Sequence, residues 1–169
     1  MKKTAKRFTG WMVILAMLIT LLPTGMITVS AYSGSGGDGT SESPYLISTA
    51  DDLRELAAAV NGGESFSGEY FEVTQDIDLE GSEQNQWTPI GGYGANTSLQ
   101  FRGTFDGGGY EISGLYINNR SALYQGLFGY LGEGAVVQNL GVSGSVAGYY
   151  HVGGVVGENH GTVSGCYNT

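Results

Sequence analysis

Three alternating carboxylates, Asp76, Asp78 and Glu80, form the pattern in this sequence that comes closest to a metal site. Alternate residues of a β-strand share one face, so the three side chains would point the same way. Ca²⁺ prefers several oxygen ligands, and carboxylates supply them. The segment is therefore a candidate calcium site. The competing interpretation, which we favour, is the solvated face of a half-buried strand over residues 71–80.

Catalytic motifs are missing from the sequence. His151 and His160 are the two histidines, and they form no H-E-x-x-H motif. No G-x-S-x-G elbow occurs, and no pair of acidic residues stands out as a glycosidase pair. Cys166 falls in an apolar repeat position, which predicts a small inward-facing side chain. We expect a non-enzymatic protein that needs no cofactor.

Tyrosines are the candidate ligand-facing residues. Tyr116 lies between two apolar residues of a predicted strand and should face outward, and Tyr149 and Tyr150 lie near a predicted turn. Exposed tyrosines can stack on sugar rings or anchor a protein partner. The alternative is that these rings pack at strand edges or under loops.

The charge balance excludes some partners. After residue 31, three arginines remain against 16 acidic residues, a net charge of −13. Nucleic-acid binding depends on Lys and Arg contacts to phosphates, so we expect no nucleic-acid partner. An anionic lipid surface is excluded for the same reason.

Residues 1–31 have the pattern of a secretory signal peptide. Lys2, Lys3, Lys6 and Arg7 precede an apolar run over residues 11–22, and Ala31 ends a plausible cleavage site. The run is shorter than the roughly 20 residues that span a bilayer, so we expect export without further membrane insertion. Residues 32–43 are rich in Gly and Ser and predict a flexible leader.

A single helix is expected over residues 50–61, after a short strand at 44–48. Leu53, Leu56, Ala57 and Val60 repeat at helical spacing. Thr49 is the expected N-cap, and the glycines after residue 61 end the helix.

The remaining chain repeats. The spacing Ile112-x-x-Leu115-x-Ile117 reappears 25 residues later from Val137 and 26 residues after that from Val163. A glycine-bounded element precedes each copy, at residues 103–106, 126–129 and 154–157. Repeats of this length predict a solenoid, here an all-β parallel β-helix of three to four coils over residues 44–169, with the helix capping its first coil. The alternative is an antiparallel β-sandwich.

Two of these elements resemble the GLUG motif of bacterial surface proteins. They are Gly126, Leu127, Phe128 and Gly129, and then Gly154, Val155, Val156 and Gly157. Residues 44–117 are similar to the segment that precedes such repeats. The resemblance implies a right-handed parallel β-helix on an exported protein, similar to the non-catalytic repeats of IgA-protease-type zinc metallopeptidases. Such proteins are usually longer, so we expect a truncated or a minimal member.

These observations predict a secreted or cell-surface bacterial module for adhesion, spacing or partner binding. Its partner would be a host or cell-wall protein or a glycan. An open C-terminal edge would also permit self-association. The alternatives are a carbohydrate-binding module and the N-terminal targeting fragment of a larger secreted peptidase.

Overall fold

The structure is a computed structural model that describes residues 32–93 and 98–169. The predicted signal peptide, residues 1–31, lies outside the described residues. Within the described ranges, no helix combines the length and apolar character needed to cross a membrane.

Fifteen strands and one helix make up the described chain. The first part contains β1 (Tyr45–Ile47), α1 (Ala50–Asn61), β2 (Tyr70–Val73), β3 (Ile77–Asp78), β4 (Gly92–Tyr93), β5 (Ser98–Leu99), β6 (Thr104–Asp106) and β7 (Glu111–Asn118). The second part contains β8 (Leu123–Gln125), β9 (Phe128–Leu131), β10 (Val136–Gln138), β11 (Gly141–Ala147), β12 (Tyr150–Val152), β13 (Val156–Asn159), β14 (Thr162–Ser164) and β15 (Tyr167–Asn168).

The strands stack as a parallel β-helix of about four turns, as the repeats predict. One sheet has the order β1-β2-β6-β10-β14 and a second the order β3-β7-β11-β15, while β8-β12 and β9-β13 form the remaining sides. All of these pairs are parallel. The antiparallel β-sandwich is therefore wrong, and within the described ranges antiparallel pairing is confined to the short β4–β5 hairpin.

The strand register supports one of the two predicted repeat steps and contradicts the other. Val137 pairs with Val163, so the 26-residue relation holds. Ile112, however, pairs with Val142, and Val137 pairs on its other side with Phe105. The 25-residue relation is therefore wrong. The turns after β6, β7 and β9 have four residues each, whereas the corresponding turns after β10, β11 and β13 have two. Equal spacing therefore fails between these two coils.

Of the three elements that precede the predicted repeat copies, two occupy equivalent positions in the coils and one does not. Residues 126–129 and 154–157 do occupy equivalent places, because Phe128 pairs with Val156. Residues 104–106 of the first element form β6, which lies in a different sheet and pairs with β10. The resemblance between the first element and the other two is local and does not reflect equivalent positions in the coils.

The core is a column of apolar side chains inside the coils. Phe71, Phe105 and Val137 occupy the same inward position on successive coils and are fully or almost fully buried. Phe101 and Phe128 continue the column, with ring centroids 5.3 Å apart. Each buried aromatic ring contributes both apolar area and ring-to-ring contact, so the column holds neighbouring coils together.

The single strand predicted over residues 71–80 is in fact two strands in different sheets. β2 ends at Val73 and β3 begins at Ile77, with a corner of the β-helix between them. Phe71, Val73, Ile77 and Leu79 are buried, so the predicted inward side is correct at those four positions.

Helix α1 covers the N-terminal end of the coils and begins where its cap predicts. Thr49 accepts a hydrogen bond from the Asp52 amide, and the Asp52 side chain accepts one from the Thr49 amide. Arg54 donates to the Leu79 carbonyl, and Asn61 donates to the Pro89 carbonyl, which ties the helix to the first coil. The buried side of the helix belongs to the same core as the coils.

Residues 32–43, which the sequence predicts to be a flexible leader, lie against β1 in the structure. Tyr32 is buried, with its ring edge-on to those of Tyr45 and Phe71 at centroid distances of 5.2 and 5.4 Å. Leu46 donates a backbone hydrogen bond to Gly36, and Ser35 donates one to Leu46. The Gly and Ser residues permit tight turns, but the buried aromatic ring and these bonds order the segment against β1.

Asp52 joins the leader, β1 and α1, so its replacement tests the cap. The Ser48 and Thr49 amides and the Ser35 hydroxyl all donate to its Oδ2, at 2.9, 2.9 and 2.7 Å. Burial alone would raise the pKa of Asp52, but these hydrogen bonds outweigh it and lower the pKa below its ordinary value. We expect Asp52→Ala to lower the free energy of unfolding by about 1–3 kcal/mol in urea denaturation, because it leaves these donors without their acceptor.

The exposed neighbour Asp51 provides the matched control, and Asp51→Ala should cost less than about 1 kcal/mol. A lowered folded-state pKa stabilises the fold fully above the unfolded-state value, about 3.9, and the contribution is lost as pH falls through the folded value. The gap between wild type and Asp52→Ala should therefore close in acid. Equal losses from both variants at neutral pH would contradict the capping role.

Candidate functional site

The proposed calcium ligands do not come together. Asp76 accepts a hydrogen bond from the Glu111 amide, and Asp78 accepts one from the Glu80 amide. Glu80 has a φ of 53°, so the strand has ended and its side chain leaves the common face. Within the described ranges, no group of three or more His, Cys, Asp or Glu side chains is arranged to hold a metal ion. The described arrangement therefore does not support the calcium candidate, and the exposed carboxylates fit the solvated face of a strand.

The GLUG-like residues serve packing. Leu127 and Phe128 are fully buried, and their counterparts in the next coil, Val155 and Val156, pack partly buried against the same core. The glycines of this motif allow close backbone approach: a Cβ added to Gly129 would lie 2.2 Å from the Gly91 carbonyl oxygen.

The same holds in the next coil. A Cβ on Gly157 would meet the His151 carbonyl oxygen at 2.7 Å, and one on Gly154 would meet the Asn168 side chain at 2.2 Å. Gly126 is equally crowded, with the Gly153 carbonyl oxygen at 2.7 Å. None of these four glycines has a positive φ, so crowding and not backbone conformation restricts them. The nearest atoms at Gly126, Gly129 and Gly157 are backbone, whereas at Gly154 they belong to the Asn168 side chain, which can move.

The predicted ligand-facing tyrosines lie at two places. Tyr116 is half-buried, and its backbone carbonyl accepts a hydrogen bond from the Trp87 amide, so the chain before β4 passes alongside it. Tyr149 and Tyr150 are 62% and 60% exposed, with ring centroids 4.3 Å apart. The structure does bring the last two together beside the larger aromatic cluster described next.

Stacked rings from three coils form what we call the tyrosine–histidine face, defined as Tyr93, Tyr124, Tyr130, His151, Glu158 and His160. Tyr124 stacks on His151 of the next coil, with centroids 4.8 Å apart, and on Tyr93 of the preceding coil at 6.1 Å. Tyr130 stacks on His160 at 5.2 Å. Tyr124 and Tyr130 are 5.6 Å apart, so the two stacks form one surface.

Glu158 joins the two stacks. Its carboxylate contacts His151 Nδ1 through one oxygen and His160 Nε2 through the other, the latter at 2.8 Å. Glu158 also pairs with Tyr130 in the β13–β9 register. Both imidazoles are therefore fixed in position by a ring on one side and a carboxylate at the edge.

Backbone conformation marks the centre of this face. Tyr124 and His151 occupy equivalent positions, because Leu123 pairs with Tyr150 and Gln125 with Val152. Their φ values are 59° and 56°, in the left-handed region that disfavours side chains of this kind. Such conformations cost about 1–3 kcal/mol each and persist where the surroundings enforce them, often at binding sites.

The electrostatics of the face favour the neutral form of the Tyr130 phenol. Partial burial, with the nearby Glu158 carboxylate, raises the pKa of Tyr130 above its ordinary value, so this ring stays protonated at neutral pH. Within the described ranges, no Ser, Thr or Cys side chain hydrogen-bonds to either imidazole. The arrangement can therefore present rings, hydroxyls and one shared carboxylate to a partner.

Local sequence patterns do not identify most of this face. Tyr93, Tyr124, Tyr130 and Glu158 lie in no local motif, and His151 and His160 form no zinc-binding motif. The available signal is the 27-residue step from Tyr124 to His151, which places two aromatic rings one above the other. This step can be recognised only when the register between coils is known, and the predicted 25-residue repeat gives the wrong register.

Two known proteins are similar to this chain. A protein of Evansella cellulosilytica named Gly-rich membrane protein is 38% identical over 136 residues, which cover 76% of this chain and 15% of that protein. Halomucin of Haloquadratum walsbyi is 33% identical over 131 residues, which cover 75% of this chain and 1% of halomucin. The chain thus spans a small part of each relative.

No family model matches the chain, and no solved structure matches it. The resemblance to GLUG-motif proteins therefore stays a prediction. The chain is shown to be a parallel β-helix that shares most of its described length with segments of two much longer proteins.

Gly129 tests the packing role of the motif. We expect Gly129→Ala to lower the free energy of unfolding by about 1–3 kcal/mol, because its Cβ would collide with backbone oxygens that cannot rotate away. Gly92→Ala is the matched control, since an added Cβ there meets nothing within 4 Å and φ is not positive. Thermal and urea unfolding measure both. Equal stability of the two variants would refute the crowding assignment.

Proposed function

We propose that this chain is a non-enzymatic β-helical module of an exported bacterial surface protein, and that it binds a protein partner through the tyrosine–histidine face. The observation that carries the proposal is the gathering of exposed and stacked rings on one side of the coils. Tyr93, Tyr149 and Tyr150 are each at least 60% exposed beside the fixed rings of Tyr124 and His151.

The composition of the face favours a protein partner. Aromatic residues are enriched at protein interfaces, and Tyr combines an apolar ring with a hydroxyl that can find a hydrogen-bond partner. The stacked rings are already immobilised, so binding costs them little further conformational entropy. A β-helix also separates its two ends by a stiff, hydrogen-bonded body, which suits a spacing role as well.

The contacts of Glu158 support a non-enzymatic role. Its two carboxylate oxygens are each engaged by an imidazole, and neither imidazole contacts a hydroxyl or thiol nucleophile in the described ranges. These contacts hold the two imidazoles in place, which suits a binding surface.

Export and surface location are supported by the sequence and by the relatives. The first 31 residues contain, in order, the basic residues, the apolar run and the cleavage site that are typical of a signal peptide. One relative is named a membrane protein. Membership among GLUG-motif surface proteins is part of this proposal, since the glycines and apolar residues at 126–129 and 154–157 occupy equivalent positions in adjacent coils.

The processing site can be tested directly. We expect N-terminal sequencing of the protein from the producing cell to begin at Tyr32, because cleavage after Ala31 leaves that residue at the start of the buried cap. A sequence that begins at Met1, or that begins after Tyr32, would contradict the predicted cleavage site.

Site-specific crosslinking tests the binding face in place. A photoreactive phenylalanine analogue is introduced at Tyr93, Tyr149 or Tyr150 in the producing bacterium, and the cells are irradiated. We expect each of these positions to yield a discrete crosslinked adduct, because the exposed rings contact the partner. Protease digestion should reduce the size of the crosslinked partner.

Tyr70 and Tyr110 serve as control positions, since both are exposed but lie outside the face. Adducts of equal yield at the control positions would contradict a specific face. An adduct that resists proteases but is shortened by glycosidases would replace the protein partner with a glycan.

A further inference from the structure

The tyrosine–histidine face belongs to a strongly acidic chain. After residue 31 the sequence has 16 acidic residues and three arginines, a net charge of −13. Two of the arginines are already engaged, since Arg54 forms an ion pair with Asp51 at 2.8 Å and Arg102 donates to Gln100 at 2.7 Å. A surface on which one sign of charge prevails attracts ligands of the opposite sign. The charge of the chain therefore favours a cationic partner.

The residues of this face include a carboxylate and neither Lys nor Arg. The same is true of Tyr149 and Tyr150, which lie beside it. The carboxylate is that of Glu158, and its two partners, His151 and His160, are uncharged while their imidazoles are neutral. Phenols are uncharged as well near neutral pH. The face is therefore negative at neutral pH and adds to the attraction for a cation.

Three exposed rings provide the contacts that suit such a partner. Tyr93, Tyr149 and Tyr150 are 64%, 62% and 60% exposed. The face of an aromatic ring is electron-rich and attracts an Arg or Lys side chain that lies within about 6 Å of the ring centroid. The planar guanidinium of Arg also stacks on aromatic rings. Because the centroids of Tyr149 and Tyr150 are 4.3 Å apart, a single guanidinium can contact both rings.

We propose that the tyrosine–histidine face binds a basic segment of its protein partner, with Arg or Lys side chains placed over the exposed tyrosine rings. The inference rests on the proposed function, from which it takes the position of the binding face, and it adds the chemistry of the partner. The net charge of the chain draws the basic segment in, and the rings and the Glu158 carboxylate hold its cationic side chains.

The two imidazoles make this binding sensitive to pH. The side chains of His151 and His160 are 44% and 52% exposed, so both can take up a proton from water. An imidazole ordinarily changes its charge between about pH 5 and pH 8. When both are protonated, the group that they form with Glu158 changes from one negative charge to one positive charge. A basic segment is then repelled from the centre of the face.

The other titratable or charged groups around the imidazoles keep their charge over this pH range. In the described structure they are Tyr93, Tyr124, Tyr130, Tyr150, Glu158 and Arg102. The arginine approaches the face through Gln100, which hydrogen-bonds to Tyr130. Phenols stay neutral, a guanidinium stays positive and a carboxylate stays negative above about pH 5. The two histidines are therefore the groups that change the charge of the face.

Calorimetric titration with short peptides tests the charge preference of the face. The purified protein is titrated at about pH 7.5 and low ionic strength with hexa-arginine, hexa-glutamine and hexa-glutamate. We expect hexa-arginine to bind and the other two peptides not to bind. Tyr149→Ala and Tyr150→Ala should each weaken the binding about two- to fivefold, because each removes an exposed contact between a ring and a cation.

Tyr70→Ala and Tyr110→Ala are the matched controls, since each removes an exposed ring outside the face and, like the other two, leaves the net charge unchanged. They should leave the affinity as it is, and circular dichroism establishes that each variant is folded. Equal losses from all four variants would overturn the proposal, because the peptide would then bind the acidic surface at large. So would the failure of hexa-arginine to bind more tightly than hexa-glutamine.

The same titration at about pH 5.5 tests whether the peptide lies against the imidazoles. We expect the affinity for hexa-arginine to fall about fivefold, because two positive charges enter the face. A double variant, His151→Gln with His160→Gln, should lose most of this fall, because glutamine can donate to Glu158 but gains no charge. An affinity that is equal at the two pH values in the wild type would overturn the proposal, since the peptide would then lie away from the imidazoles.

The crosslinks described above separate this inference from the proposed function. A crosslinked partner segment rich in Arg or Lys would support the inference. Discrete adducts at the face whose partner segment is acidic or uncharged would overturn it and leave the protein-binding role intact. The absence of adducts at every position of the face would instead contradict the proposed function, and with it the inference that rests on it.

Discussion

The rest of this structure depends on parallel backbone pairing between successive coils. Each coil contributes short strands of two to eight residues, too short to be stable alone, and each gains its hydrogen bonds from the coil before and the coil after. Once one pair is in register, the inward residues above and below it must align. The column of Phe71, Phe105 and Val137 is the result. Local interactions within a coil cannot replace this pairing.

The N-terminal segment and helix α1 cover the exposed end of the stacked coils. A first coil has no predecessor, so its apolar side and its backbone groups need another cover. Helix α1 supplies the apolar cover, while Asp52 gathers hydrogen bonds from the leader, from the residue after β1 and from the helix cap. Tyr32 adds an aromatic ring to the same end. The cap is therefore a small tertiary unit, and its parts depend on one another.

The candidate binding surface arises from a departure from the regular coil. The tyrosine–histidine face depends on two left-handed residues, Tyr124 and His151, that turn equivalent rings onto each other. Regular strands provide a rigid frame, and the side chains that can meet a ligand come from the turns and insertions.

Local features of the sequence determined the fold class, the helix with its Thr49 cap, and the inward side of most strands. These follow from short-range patterns: apolar spacing, the capping residue, and glycines where backbones approach closely. The tertiary structure alone decided the register. Phe105 to Val137 takes 32 residues whereas Val137 to Val163 takes 26, because turn lengths vary while backbone pairing holds the strands level. Since the register sets which side chains lie one above another, it also decided that Tyr124 meets His151.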